Sequence, residues 1–233
     1  MQDSTPHSQL VIQQNVSYYD EIAKQYDEIL DRDNSNRIIR EKVKAIFCKL
    51  VPPGVVLDFG GGTGKDLQWL TGNGYRVLFC EPSVKMREKA MSLHYNGVVV
   101  LENIASNFVT WETEPPFSER VDAILANFAV INSIPDLKLL FKHLSLVIRS
   151  DGHLFMLVLR NTLKKRWRAH RVATIGSFFT GATVATEVRF NQRWQRVYLY
   201  TTRRIKKDAL RYFHFKGYHL EESGFTLMHF IRK

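Results

Sequence analysis

The chain has 233 residues, 45% of them apolar and 24% charged, as expected of one soluble globular domain long enough to bury a full core. Two cysteines, Cys48 and Cys80, give neither a disulfide framework nor a metal-ligand cluster, so no metal is expected and a reducing cytoplasm is the expected compartment. Met1 to Gln9 is polar, without a cationic-then-apolar leader, and the apolar runs Val121–Ile131 and Leu154–Leu159 are too short to span a membrane.

Helical spacing runs from Tyr18 to Leu30 and again from Arg37 to Leu50, where Ile39, Val43, Phe47 and Leu50 share a face until Pro52-Pro53-Gly54 stops it. Val55 to Leu57 reads as a buried parallel strand that runs into Asp58, then glycines at 60, 62 and 64, then a helix start over Lys65 to Leu70. Tyr75–Cys80 is a second strand, Ser83–Ser92 a helix, Val98–Leu101 a third strand and Val121–Ala126 a fourth. A helix over Leu137–Ile148 and a turn at Ser150-Asp151-Gly152 lead to a fifth strand, Leu154–Leu159. Lys164–Thr174 then reads as a basic helix, and Thr183–Phe190 with Trp194–Thr201 as a hairpin around Asn191-Gln192. A helix near Ile205–Phe215 precedes a last hairpin, Tyr218–Glu222 and Phe225–Arg232 across Ser223-Gly224. Alternating strands and helices predict an α/β fold with a parallel sheet and right-handed crossovers.

Strand, glycine turn and helix form the ligand crevice of such a sheet, and the glycines let backbone approach a ligand closely. A dinucleotide fingerprint fails in every frame: the sixth position from Gly60 is Lys65, the third from Gly61 is Thr63 and the sixth from Gly62 is Leu67. A phosphate-binding Walker loop fails because Asp66, not Ser or Thr, follows Gly64-Lys65. Asp58 puts a carboxylate at the strand end, suited to a ligand amine rather than a phosphate. The run Asp58 to Gly64, D-x-G-x-G-T-G, resembles motif I of class I S-adenosylmethionine-dependent methyltransferases.

The resemblance extends over most of the chain and implies a Rossmann-like seven-stranded mixed sheet flanked by helices, with a C-terminal antiparallel hairpin. It divides a single domain into an N-terminal helical lid (1–50), a cofactor core (51–159), a basic substrate cap (160–204) and a closing helix and hairpin (205–233). Tyr18 to Asp27 is similar to the lid helix of the ubiquinone/menaquinone-type small-molecule branch, with Tyr19 and Tyr26 matching the pair that closes over the cofactor. The resemblance assigns S-adenosylmethionine contacts to Asp58, Gly60, Gly62, Thr63 and Gly64. Glu81 would take the ribose hydroxyls, Met86 would pack the adenine beside Ser83, and Asn103 and Ile104 would meet its amino group. Asn127 would lie beside the transferring methyl.

A sulfonium carries its own leaving group, so methyl transfer needs alignment and water exclusion more than acid–base help. The family often has a histidine after the fourth strand; Asn127 to Pro135 has none, and the sequence selects no base among His143, His153, His170, His214, His219 and His229. The same loop lacks the (D/N)-P-P-(Y/F/W) motif of nucleobase amine methylation, and neither cysteine is placed for pyrimidine C5 chemistry, which disfavours nucleic acid. Charge pulls the other way. Arg160 to Lys207 holds thirteen basic side chains against Glu187 alone, so this segment exceeds the whole chain's +10 and the remainder is net −2. Such a cap suits an anionic small molecule, an acidic carrier domain, a lipid-like acceptor at a membrane surface, RNA, or solvent alone. Phe128, Phe178 and Trp194 are the aromatic candidates for acceptor contact. The reading is methyl transfer to oxygen or nitrogen of an anionic or phenolic small molecule. An RNA-modifying enzyme and a cofactor-binding module without turnover remain the alternatives.

Overall fold

The structure, a computed structural model, describes residues 6–159 and 183–233, without the side chains of Pro6, His7, Asn103 and Ile104. The expected helix Lys164–Thr174, the cations from Arg160 to Arg171, and Phe178 lie outside these residues.

Among the described residues nine strands form: Val55–Phe59 (β1), Arg76–Cys80 (β2), Val98–Val100 (β3), Val121–Ala126 (β4), Ile148–Leu159 (β5), Val184–Phe190 (β6), Arg193–Leu199 (β7), Phe213–Glu222 (β8) and Phe225–Arg232 (β9). Seven make one mixed sheet in the order β3-β2-β1-β4-β5-β9-β8, and β6 pairs with β7 alone. The first five run parallel and β9 joins β5 antiparallel, with Leu57 opposite Leu78 and Ile124, and Phe155 opposite His229. The described helices are Pro6–Ile22 (α1), Tyr26–Asp31 (α2), Asn34–Leu50 (α3), Leu67–Gly72 (α4), Val84–Met91 (α5), Asn103–Ser106 (α6), Leu137–Val147 (α7) and Thr202–Ala209 (α8), with 3₁₀ turns at Phe108–Thr110 and Val130–Ser133.

Successive strand residues point to opposite faces, and both faces are covered, which is why the strands read as unbroken apolar runs. Leu57, Leu78, Ile124 and Met156 pack with Phe141 and Leu144 of α7. Val56, Val77, Phe79 and Leu157 pack with Val43 and Phe47 of α3 and Leu70 of α4. Ser83 and Asp136 cap α5 and α7 by accepting from Met86 N and Leu139 N, so those helices begin where side-chain oxygens satisfy open amides. Among the described residues no helix is long and apolar enough to cross a membrane.

Three local expectations are corrected. The segment Tyr18–Leu30 is not one helix: α1 begins at Pro6, and the chain turns at Ala23–Gln25 before α2. A straight helix separates residues seven apart by about 10 Å along its axis, whereas the turn brings the Tyr19 and Tyr26 ring centroids to 6.0 Å. The turn Ser150-Asp151-Gly152 lies inside β5 as a bulge, with Asp151 at φ +62° and a register shift against β4. Gly152 is required there, since a Cβ would meet Ile148 Cγ1 at 2.6 Å. The helix expected over Ile205–Phe215 ends at Ala209, because Phe213 enters the sheet and packs edge-on to Phe141 at 5.9 Å.

Candidate active site

The C-terminal ends of β1, β2 and β4 open into a cavity of about 450 Å³, within the ~300–1,000 Å³ range of small-molecule sites. Its floor is the glycine loop after β1, where Gly60 N and Gly61 N donate to Cys80 O at 2.7 and 3.2 Å. Gly62 (φ +59°) presents bare backbone to the cavity: an added Cβ would meet only Tyr26 Cε1, at 3.8 Å. Gly64 (φ +80°) faces the other way, where a Cβ would lie 2.9 Å from Ala90 Cβ of α5. Gly64 therefore serves helix packing and does not line the cavity.

Two acids stand at the strand ends. Asp58 is 1% exposed, and neither of its carboxylate oxygens has a hydrogen-bond partner among the described residues. Burial, with the nearby charges of Asp66 and Glu81, holds its pKa well above the usual carboxylate range despite Arg40. Glu81 accepts from Ser83 N at 2.8 Å and Gly62 N at 3.0 Å, one amide to each oxygen. Burial outweighs these bonds and pushes its pKa up to about 7. Each Glu81 oxygen keeps a lone pair for a ligand.

The N-terminal segment forms the roof. Tyr19 and Tyr26 stand edge to face above the floor, and burial pushes Tyr19 up to about 12 and raises Tyr26 as well, so both keep their protons. Asp20 accepts from Ser83 Oγ (2.6 Å) and Lys85 N (3.1 Å), tying α1 to α5. Asp27 accepts from Thr63 Oγ1 (2.6 Å) and pairs with Lys89 (2.8 Å), tying α2 to the glycine loop. Met86 lines the cavity and packs under Tyr18, Ile22 and Ala23.

At the end of β4, Phe128 and Ala129 are both left-handed, at φ +48° and +64°, a strained pair of the kind found at functional sites. Asn127 braces the turn: its Oδ1 accepts from Phe128 N (3.0 Å) and its Nδ2 donates to Asp66 Oδ2 (2.9 Å). Asp66 also accepts from Trp69 Nε1 (2.8 Å) and pairs with Arg40, whose guanidinium lies 4.4 Å over the Phe128 ring.

Residues 27–190 match the family model described as a methyltransferase domain. The chain belongs to this methyltransferase family. No curated protein matches it. Among solved structures, the methyltransferase is similar to DhpI in complex with S-adenosylhomocysteine, at TM-score 0.70 and 16% identity over 98% of both chains. It is also similar to the 1,6-didemethyltoxoflavin-N1-methyltransferase of Burkholderia thailandensis, at TM-score 0.62 and 16% identity over 100% of this chain and 92% of that one. The glycopeptide N-methyltransferase MtfA aligns at TM-score 0.59 and 11% identity over 82% and 89%. At these identities the likeness is one of fold.

The donor of class I methyltransferases is S-adenosylmethionine, and the cavity's chemistry fits it. A buried carboxylate without a protein partner suits an ammonium, a second carboxylate with free lone pairs suits a vicinal diol, and bare glycine backbone allows close approach. Of the residues singled out in the sequence, Tyr19, Tyr26, Asp58, Gly60, Gly62, Thr63, Glu81, Met86, Asn127 and Phe128 meet in this one cavity. Trp194 does not line it; it lies in β7 with the Arg196 guanidinium 5.3 Å from its ring. Asn103 and Ile104 begin α6, and their neighbours Ser106, Asn107 and Phe108 line the wall.

Among the described lining residues there is no histidine. His143 is buried against Phe108 O (2.6 Å), and His153, His229 and His219 form a row across β5, β9 and β8, linked at 3.0 and 3.1 Å. Arg40, Asp66, Asn15 and Ser133 reach the cavity without any motif that marks them in the sequence.

Proposed function

We propose that the methyltransferase transfers a methyl group from S-adenosylmethionine to an oxygen or nitrogen of a small-molecule acceptor. The observation that carries this reading is the unpartnered Asp58 carboxylate under an aromatic roof, beside Glu81. The bound cofactor supplies a methyl on a cationic sulfur that departs with its electron pair. Asp58 would hold the cofactor's ammonium, Glu81 its ribose hydroxyls and Arg40, beside Asp66 and Phe128, its carboxylate. Gly60, Gly62 and Thr63 shape the floor, while Met86, Asn103 and Ile104 attend the adenine end. Tyr19 and Tyr26 present aromatic rings toward a cation and keep water out. Asn127 acts through the turn it braces, setting Phe128 at the boundary between cofactor and acceptor.

The aromatic roof over a cavity of about 450 Å³ supports a small-molecule acceptor over a polymer. Two of the structural relatives are named for N-methylation of small or peptide-like compounds, which supports nitrogen as one target atom. The net charge of +10, with Arg189, Arg193, Arg203 and Lys207 exposed, favours an anionic or phenolic acceptor, free or on an acidic carrier domain, through long-range attraction. Two free cysteines accord with a cytoplasmic setting.

The test is incubation of the protein with methyl-labelled S-adenosylmethionine and a cell extract, followed by separation into small-molecule, protein and RNA fractions. Label is expected in the small-molecule fraction. Label confined to RNA overturns the acceptor class, and binding of the cofactor without labelling of any fraction favours a module that does not turn over.

A further inference from the structure

Two buried asparagines grip the backbone of β7. Asn132, in the 3₁₀ turn after β4, accepts from Leu159 N (2.9 Å) and donates to Tyr198 O (2.7 Å). Asn15, on α1, accepts from Arg196 N (2.8 Å) and donates to Arg196 O (3.2 Å) and Ser133 O (2.8 Å). By taking both the N–H and the C=O of one residue, the Asn15 amide imitates a neighbouring strand along β7. Asn132 thus fastens the β6–β7 hairpin to the core, and Asn15 fastens the roof helix to the hairpin and to the loop after β4. A second link joins Asn191 Nδ2, in the hairpin turn, to Glu21 Oε1 of α1 at 3.1 Å.

Asn15 lies one turn before Tyr19, and residues four apart share a helix face. The two side chains divide the same junction between them. Asn15 bonds the backbone of Ser133 and Arg196, while Tyr19 and Ser133 both line the cavity. Asn15 is 4% exposed, so its bonds lie in a low-dielectric setting. Because α1 also gives Ile12, Gln13 and Val16 to the cavity wall, lifting this helix widens the way out for a molecule the size of the cofactor. Lifting α1 breaks the three Asn15 bonds and exposes their partners to water.

We infer that Asn15 is a positioning residue: it sets α1 against β7 so that Tyr19 stays over the cofactor, and its bonds govern how fast the roof opens for cofactor exchange. The β6–β7 hairpin and the roof helix are thereby one joined unit. The inference rests on the cavity being the S-adenosylmethionine site. A group whose bonds hold the closed state acts mainly on the dissociation rate.

The experiment is stopped-flow displacement of S-adenosylhomocysteine from the full chain, with melting temperatures measured in parallel. In Asn15→Ala the dissociation rate is expected to rise at least tenfold, with the association rate changed less than threefold. Asn15→Asp, nearly isosteric, turns an acceptor toward two carbonyls and is expected to dissociate at least as fast as Asn15→Ala; it serves if the alanine variant fails to fold. In a Tyr19→Ala background, Asn15→Ala is expected to change the rate less than threefold, because the residue it positions is already gone. A dissociation rate within twofold of wild type in both Asn15 variants overturns the inference. So does an undiminished effect in the Tyr19→Ala background. A wild-type chain that binds no S-adenosylhomocysteine overturns the cofactor reading itself, and the inference with it.

Discussion

Asp58→Asn is expected to leave a folded, more heat-stable protein that has lost its hold on the cofactor. Asp58 is buried with two oxygens that no described residue satisfies, and its raised pKa means that the fold disfavours the charged form. For a carboxylate raised in the folded state, stability is full below the unfolded pKa and falls as pH rises through the folded value. The neutral amide removes that cost at pH 7, and each 1 kcal/mol of relief raises the melting temperature by ~2–4 °C at this size. Binding moves oppositely, because the ligand's ammonium is then buried without its partner, at a cost of roughly 3–5 kcal/mol, or about a few hundred- to a few thousand-fold in affinity. Calorimetric titration with S-adenosylhomocysteine and a melting curve check both arms. Near-normal affinity removes Asp58 from the site.

Glu81 gives the second large effect, a pH dependence of cofactor binding. Its carboxyl titrates at about 7 in the free protein because burial outweighs its two backbone bonds, and hydroxyl donors bind the ionised form. Binding therefore strengthens as pH rises through 7 and levels above it. Protonation alone makes affinity at pH 6 about tenfold weaker than at pH 8. Free-protein stability runs the other way, falling as pH rises from the ordinary glutamate range through 7. Glu81→Gln is expected to weaken binding at pH 8 by ~1.5–3 kcal/mol, the worth of charge-assisted hydrogen bonds. It also removes Glu81's share of the pH slope. Isothermal titrations at pH 6, 7 and 8 read both, and an unaltered slope in Glu81→Gln assigns the titration elsewhere.

Both acids were legible because their positions follow from local pattern. The end of a parallel strand beside a glycine turn is where a ligand crevice opens, and short apolar runs locate strand ends closely. Asp58 and Glu81 fall at the ends of β1 and β2, which lie side by side with Asp58 opposite Phe79. The alternation of strands and helices marked the parallel part of the sheet for the same reason, while its seven-stranded, mixed form came from the family resemblance. What stayed hidden depends on contacts between distant segments. Asn15 meets Ser133 and Arg196 across 118 and 181 positions, and Arg40 meets Asp66 across 26. No periodicity encodes such pairs. The break at Ala23–Gln25 was hidden because apolar spacing continues through it, and only the packing of Tyr26 toward the glycine loop demands the turn. The packing role of Gly64 was hidden for a related reason. Its left-handed backbone belongs to the motif, but what its missing side chain makes room for is Ala90 of α5.

The most direct test of the account is titration of the wild-type chain with S-adenosylhomocysteine at pH 8. The account predicts one molecule bound per chain, with a melting temperature that rises with ligand concentration. Absence of binding at millimolar ligand by a folded protein would contradict it, since Asp58 and Glu81 would then be buried carboxylates serving no cofactor.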